Sequence, residues 1–231
     1  MTKNENVLRV FPKWLKRPVK RALLNRQLRH AIRELRKSGM NVPRRELLSE
    51  LIKGWGNEGY SANLEYLETV ARLSVDARGP ILECGTGATT ILLAILSERR
   101  DIEVWSLEHS VEWKTRIAQV LAHNGIGPAR ICWSPLIEYG EFDWYEPPLA
   151  QLPNEFSLAI CDGPPGSTKG GRYGLLPVMG NRLPAGSTIL LDDATRPGEL
   201  EVLKRWQQEV RFETELRGSP GHQFAVMRRL N

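Results

Sequence analysis

The sequence predicts an α/β fold, a mostly parallel sheet covered by helices and closed by a β-hairpin. Three observations predict it. Apolar, strand-like runs end in acids or glycine turns at residues 81–84, 102–108, 156–162 and 186–193. Stretches of helical spacing lie between them, from Val111 to Asn124 and from Pro197 to Val210, the alternation that builds βαβ units. Two closing strands, Arg211 to Leu216 and His222 to Arg229, flank the turn Gly218-Ser-Pro-Gly221.

The chain has 231 residues, 41% hydrophobic and 26% charged, enough for one α/β domain with an appendage or at most two small domains. No apolar run approaches the roughly 20 residues of a membrane span, and the basic N-terminus carries no continuous apolar segment. Cys84, Cys132 and Cys161 sit in or at the end of apolar runs at spacings that match no zinc motif, so buried reduced thiols in a cytoplasmic protein are expected.

Charge divides the chain. Residues 1–48 hold 14 Lys and Arg against three acids, a net of +11, and the remainder holds 18 basic and 24 acidic residues, a net of −6. Residues 1–55 are therefore read as a basic helical extension and 56–231 as the working domain. Trp14, Leu15, Val19, Leu23, Leu28, Ala31, Ile32 and Leu35 recur at helical spacing among Lys and Arg. Pro12 and Pro18 place the start of a clean helix near Pro18, and Ser38-Gly39 ends it. Such a helix can pack on its own domain, lie on the inner face of an anionic membrane through residues 11–37, or bind nucleic acid.

The next helix is read from Ser61 to Leu73 with Ser61 as its cap. Then comes Pro80-Ile-Leu-Glu-Cys-Gly-Thr-Gly-Ala-Thr-Thr90, a strand, a turn of small residues and a helix start. Gly85 and Gly87 can take positive φ and admit a ligand close to the backbone. Free amides at Ala88 to Thr90 would face a polar or anionic group. Glu83 inside the turn argues against a phosphate, and the Lys-Ser/Thr ending of a P-loop is missing. Glu108 lies about twenty residues on, at the end of the second strand, where a carboxylate can accept hydrogen bonds from both hydroxyls of a ribose. His109 can flank a bound nucleoside or stand in solvent. Residues 138–153 form an aromatic insertion, usable as an acceptor wall or as packing. Asp162 is delivered to the carboxyl edge of the sheet, and Asp192-Asp193 end the next strand. Adjacent carboxylates repel unless a cation or a basic group compensates, and with Asp162 they offer three hard oxygens to Mg²⁺ or a similar ion. The other reading is one helix cap and one solvated acid. Lys169, Arg172 and Tyr173 follow in a short basic segment within reach of an acceptor.

Four elements in order, Glu83-Cys-Gly-Thr-Gly87, Glu108, Asp162-Gly-Pro-Pro-Gly166 and Asp192-Asp193, resemble the class I S-adenosylmethionine (SAM) methyltransferases over roughly residues 56–231. The resemblance implies a Rossmann-like, seven-stranded, mostly parallel sheet with helices on both faces and a terminal antiparallel hairpin. It implies that Glu83, Cys84, Gly85, Thr86, Gly87 and Thr89 hold the methionine end of SAM, Glu108 and His109 the adenosine, and Ser134 and Leu136 the adenine edge, with Asp162 beside the cofactor and Tyr60, Ser61 and Asn63 either lid contacts or core packing. The order of acids is similar to that of metal-dependent O-methyltransferases, which implies a metal on Asp162, Asp192 and Asp193 and a hydroxyl acceptor on a sugar, glycan or small metabolite. The lysine that catechol enzymes place three residues after the first acid is Pro165 here, and the acid that macrolide-sugar enzymes place two after it is Pro164. Lys169 is the candidate base. An RNA methyltransferase, and a non-catalytic nucleoside-binding module working through its basic arm, stay open.

Overall fold

The computed structural model describes residues 13–39, 41–56, 62–98, 100–127 and 129–231. Among them the chain forms helices α1 (Lys13–Lys37), α2 (Arg45–Trp55), α3 (Leu64–Asp76), α4 (Ala88–Ser97), α5 (Val111–His123), α6 (Leu175–Met179) and α7 (Pro197–Glu209). The strands are β1 (Ile81–Cys84), β2 (Val104–Glu108), β3 (Ala129–Trp133), β4 (Leu136–Glu138), β5 (Asp143–Tyr145), β6 (Leu158–Cys161), β7 (Thr188–Leu191), β8 (Phe212–Arg217) and β9 (Phe224–Arg229).

The main sheet is seven-stranded in the order β3-β2-β1-β6-β7-β9-β8, parallel from β3 to β7 and antiparallel through the closing hairpin. This is the Rossmann-like arrangement expected from the sequence. The chain winds outward from β1 to β3, then crosses to β6 on the other side, so β1 and β6 flank the point where ligands bind in such sheets. Strands β4 and β5 make a separate two-stranded sheet that carries the aromatic insertion.

Alternation along the strands divides the core. Ile81, Val104, Leu158, Ile160 and Leu190 face the layer of α1 to α5, whereas Leu82, Leu107, Ala159, Ile189 and Leu191 face α6, α7, Trp144 and Tyr145. Each fully buried Leu or Ile contributes about 1.5–3 kcal/mol of transfer free energy. On β1 this alternation turns Glu83 toward the first layer, away from the aromatic one.

One detail of the extension differs from expectation. Helix α1 is already formed at Lys13 and runs through Pro18, whose missing N–H leaves one intrahelical hydrogen bond unmade. Its apolar face, Leu28, Ala31, Ile32 and Leu35, is buried in the same cluster as α2, α3 and α4. Packing on its own domain is thus the arrangement seen, with the basic face left outward. Arg36 fixes the far end: Nη2 and Nε donate to the two carboxylate oxygens of Glu98 at 2.8 and 3.0 Å, and Nη1 to the Asn124 carbonyl at 3.0 Å. Among the described residues no helix is long and apolar enough to cross a membrane.

Helix α3 begins at Leu64 rather than Ser61, with the Asn63 side chain accepting from the Glu65 amide at 2.9 Å as its cap. Phe11, Tyr60 and Ser61 lie outside the described residues, as does the side chain of Trp14.

Candidate functional site

At the carboxyl edge of the sheet a cavity of about 690 Å³ opens, inside the ~300–1,000 Å³ range of small-molecule sites. Four strand ends supply its wall: Gly85 and Thr86 after β1, Glu108 to Ser110 at β2, Asp162 to Gly166 after β6, and Asp192 and Asp193 after β7. Asn63, Trp113, Tyr145, Arg172, Arg196 and His222 complete it.

The floor depends on two glycines meeting at the switch point. Gly85 has φ +86°, and a Cβ there would stand 3.1 Å from the Gly163 nitrogen; a Cβ on Gly163 would stand 2.3 Å from the Tyr145 hydroxyl. Gly87 was expected to share this role, but its backbone is extended and a Cβ there would meet nothing within 4 Å. Its amide donates to Thr90 Oγ1 at 2.9 Å instead.

Glu108 links the second strand to the glycine loop. Its Oε2 accepts from the Thr86 amide at 3.0 Å and from Thr86 Oγ1 at 2.6 Å, and its Oε1 accepts from the Ser110 amide at 2.8 Å. His109 Nδ1 lies 3.2 Å from Oε1. Burial opposes the charge of Glu108, but His109, Thr86 and Ser110 outweigh it and hold the carboxyl below its usual value. The result is a charged acceptor on the cavity wall, whose Oε1 keeps one lone-pair site open beside its bond from Ser110.

Glu83 is placed differently from expectation. It is fully buried behind the loop, where its two oxygens accept from Thr89 Oγ1 at 2.5 Å and Ser106 Oγ at 2.6 Å. Burial pushes its carboxyl up to about 7 against the pull of those hydroxyls. It braces the loop from the helix side and does not reach the cavity. Thr89 turns inward with it, and Cys84 is buried in the opposite layer. Ser134 and Leu136 are also not on the cavity wall: Ser134 is fully buried and Leu136 packs against the second core layer. Trp113 and Tyr145 stand at the wall instead. Tyr145 signalled itself only as part of an aromatic run, and Trp113 as one apolar position of a helix.

The acids after β6 and β7 come together, with one oxygen from each of Asp162, Asp192 and Asp193 within 4.8 Å of the others. A guanidinium sits among them. Arg172, 3% exposed, donates through Nη2 to the Asp162 carbonyl at 2.8 Å, to Asp162 Oδ1 at 3.1 Å and to Asp193 Oδ2 at 3.2 Å. Its Nη1 donates to the Asp192 carbonyl. Arg196 adds a 2.7 Å pair to Asp193 Oδ2 from the surface. Burial, then the Asp192 charge, push the Asp162 carboxyl well above the usual carboxylate range despite Arg172. Burial works against the Arg172 charge, but Asp162 and its other anionic neighbours hold it above its ordinary value. The donor set suits a hard divalent ion, yet two of its three carboxylates already face this guanidinium, so a resident metal does not fit beside it.

Lys169 is not brought to the cavity. Its Nζ donates to Glu138 at 3.0 Å and to the Gly140 carbonyl at 2.7 Å on the outer surface. A side chain in a short segment can face either way, and here Arg172 turned in and Lys169 out.

SAM passes the same test of fit. Among the described residues the buried Tyr145 hydroxyl has no partner, and it stands behind Gly163, one of the two glycines that floor a cavity flanked by Glu108.

Solved structures sharing this fold include three methyltransferases. The Bacillus cereus O-methyltransferase, in complex with S-adenosylhomocysteine (SAH), aligns at TM-score 0.58 and 15% identity, covering 82% of this chain and 93% of that one. The SAH-bound Podospora anserina methyltransferase PaMTH1 aligns at TM-score 0.57 and 17% identity, covering 86% and 93%. The O-methyltransferase TomG from Streptomyces achromogenes, involved in tomaymycin synthesis and solved with SAM, aligns at 0.53 and 17%, covering 82% and 92%. No family model and no curated protein matches the sequence. The chain therefore has the class I methyltransferase fold.

Proposed function

We propose that this protein is a SAM-dependent methyltransferase that methylates an acceptor hydroxyl on a sugar, glycan or small metabolite. The observation that carries the reading is the cavity at the β1/β6 switch point, with Glu108 bonded to the glycine loop on one side and the Asp162 cluster on the other. Solved SAM- and SAH-bound relatives in fold support the donor.

In this reading Glu108 accepts the ribose hydroxyls, the Gly85–Thr86 backbone lies against the methionine end, and Trp113, His109 and Tyr145 enclose the adenosine. SAM supplies an electrophilic methyl on a sulfonium, open to in-line attack. The chain's part is to position an oxygen and take its proton. Asp162 is the residue for that proton, because its carboxyl lies on the wall of the same cavity as Glu108 and the glycine loop. Arg172 fixes the Asp162 carboxylate by its bond to Oδ1 and its neighbouring bond to the carbonyl of the same residue.

A second reading puts the hydroxyl on RNA. It draws on a cleft of about 700 Å³ between α1 and α5, lined by Arg17, Arg21, Arg29 and Arg116. Phosphate contacts there would give RNA binding that falls steeply with salt.

The direct experiment supplies SAM with a labelled methyl group and a small-molecule extract, then RNA, as acceptors. Label in an ether linkage of a small molecule supports the first reading, and label in RNA supports the second. Label on nitrogen or carbon, or tight SAM binding with no transfer to either pool, overturns hydroxyl methylation.

A further inference from the structure

The acid cluster poses a question that the methyl-transfer reading leaves open: what balances its charge. Asp162, Asp192 and Asp193 converge within 4.8 Å, and the charge of the buried Glu199 also acts on Arg172, one of its oxygens having no partner among the described residues. Carboxylates so close repel one another, and a cation held among them relieves that repulsion. Arg172 is 3% exposed and reaches two of the three carboxylates with a single nitrogen, at 3.1 and 3.2 Å. A divalent ion bound by the same oxygens would occupy that side of them.

The guanidinium is also fixed there by bonds that have nothing to do with the acids. Nη1 and Nη2 donate to the carbonyls of Asp192 and Asp162, the residues that follow β7 and β6. Swinging Arg172 out would strip two carbonyls at the ends of adjacent parallel strands of their donors, together with two charge pairs. A metal cannot displace it without that loss. Lysine could supply the charge but not a planar fork serving two carbonyls and two carboxylates at once.

We propose that Arg172 is the resident cation of this cluster. It takes the place of a divalent ion in a three-carboxylate site, with a single fixed positive charge, and it makes the protein blind to Mg²⁺ and Mn²⁺. The inference concerns the pocket assigned above to methyl transfer, but its readout contains neither donor nor acceptor, so either can fail without the other.

The test is titration of the purified full chain with MnCl₂, followed by calorimetry and by the Mn²⁺ electron paramagnetic resonance signal. Wild type should bind no stoichiometric Mn²⁺ below a concentration on the order of 1 mM, the weak end of carboxylate sites. Arg172→Met, which keeps the length and removes the charge, should gain one Mn²⁺ site, and adding Asp193→Asn should abolish it. Stoichiometric Mn²⁺ on wild type, lost in Asp193→Asn, overturns the proposal; so does a folded Arg172→Met that stays blind. If Arg172→Met does not fold, Mn²⁺ added during its refolding decides the matter. Recovery of the native circular dichroism with bound metal supports the proposal, and no recovery with either Mn²⁺ or Mg²⁺ counts against it.

Discussion

Glu108 and Thr86 are joined twice: one carboxylate oxygen of Glu108 accepts both the amide of Thr86, at 3.0 Å, and its hydroxyl, at 2.6 Å. The pair ties the end of β2 to the loop after β1 before any ligand arrives. Removing the hydroxyl by Thr86→Val keeps the shape and loses one donor to a charged acceptor. SAM affinity should fall about 2- to 10-fold, with the fold intact by circular dichroism. Unchanged affinity in calorimetry would show that the loop is held without this bond.

Glu83 gives a pH signature. Its carboxyl is pushed up to about 7 in the fold from an ordinary 4.5, chiefly by burial, so the folded state holds a proton that the unfolded state releases. Stability from this group is complete below about pH 4.5 and is lost as pH rises through about 7, by about 3 kcal/mol. Glu83→Gln removes the titration. Denaturant unfolding at pH 5 and at pH 8 should show the variant gaining on wild type at the higher pH. Parallel stabilities at the two values would contradict the buried, protonated carboxyl.

Helix α1 should behave as part of the domain. Leu35 is fully buried in the layer shared with α2, α3 and α4, so Leu35→Ala should cost about 2–5 kcal/mol in a single unfolding transition. A separate early transition for the extension, with the main one unmoved, would make it an independent unit.

Lys169 was the sequence's candidate base, but its ammonium is held by Glu138 and the Gly140 carbonyl. Lys169→Ala should leave SAM affinity and turnover within about threefold. A loss of about 100-fold or more in turnover alone, the scale of a general base, would return it to the reaction.

What the sequence disclosed follows from what is local in it. Strand runs, glycine turns and acids at strand ends are local signals, so the sheet, the hairpin and the meeting of Asp162 with Asp192 and Asp193 were legible. Side-chain direction is not local. Glu83 sits in a nucleotide-loop motif, but the alternation of β1 turns it into an apolar layer, where Ser106 of the neighbouring strand receives it. Ser134 and Leu136 follow the third strand as expected, but they pack inward while Trp113 from α5 and Tyr145 from β5 take the wall. Arg172 was visible only as one base in a short segment. Its burial among three acids depends on two strand ends that meet only in the fold.

The central claim is that the Glu108 side of the cavity holds SAM. Isothermal titration with SAM on wild type and on Glu108→Ala tests it most directly. The account predicts one site on wild type and an affinity about 10- to 100-fold weaker in the variant, the loss of hydrogen bonds to a charged acceptor. No binding to wild type, or equal affinity in a folded Glu108→Ala, would contradict it.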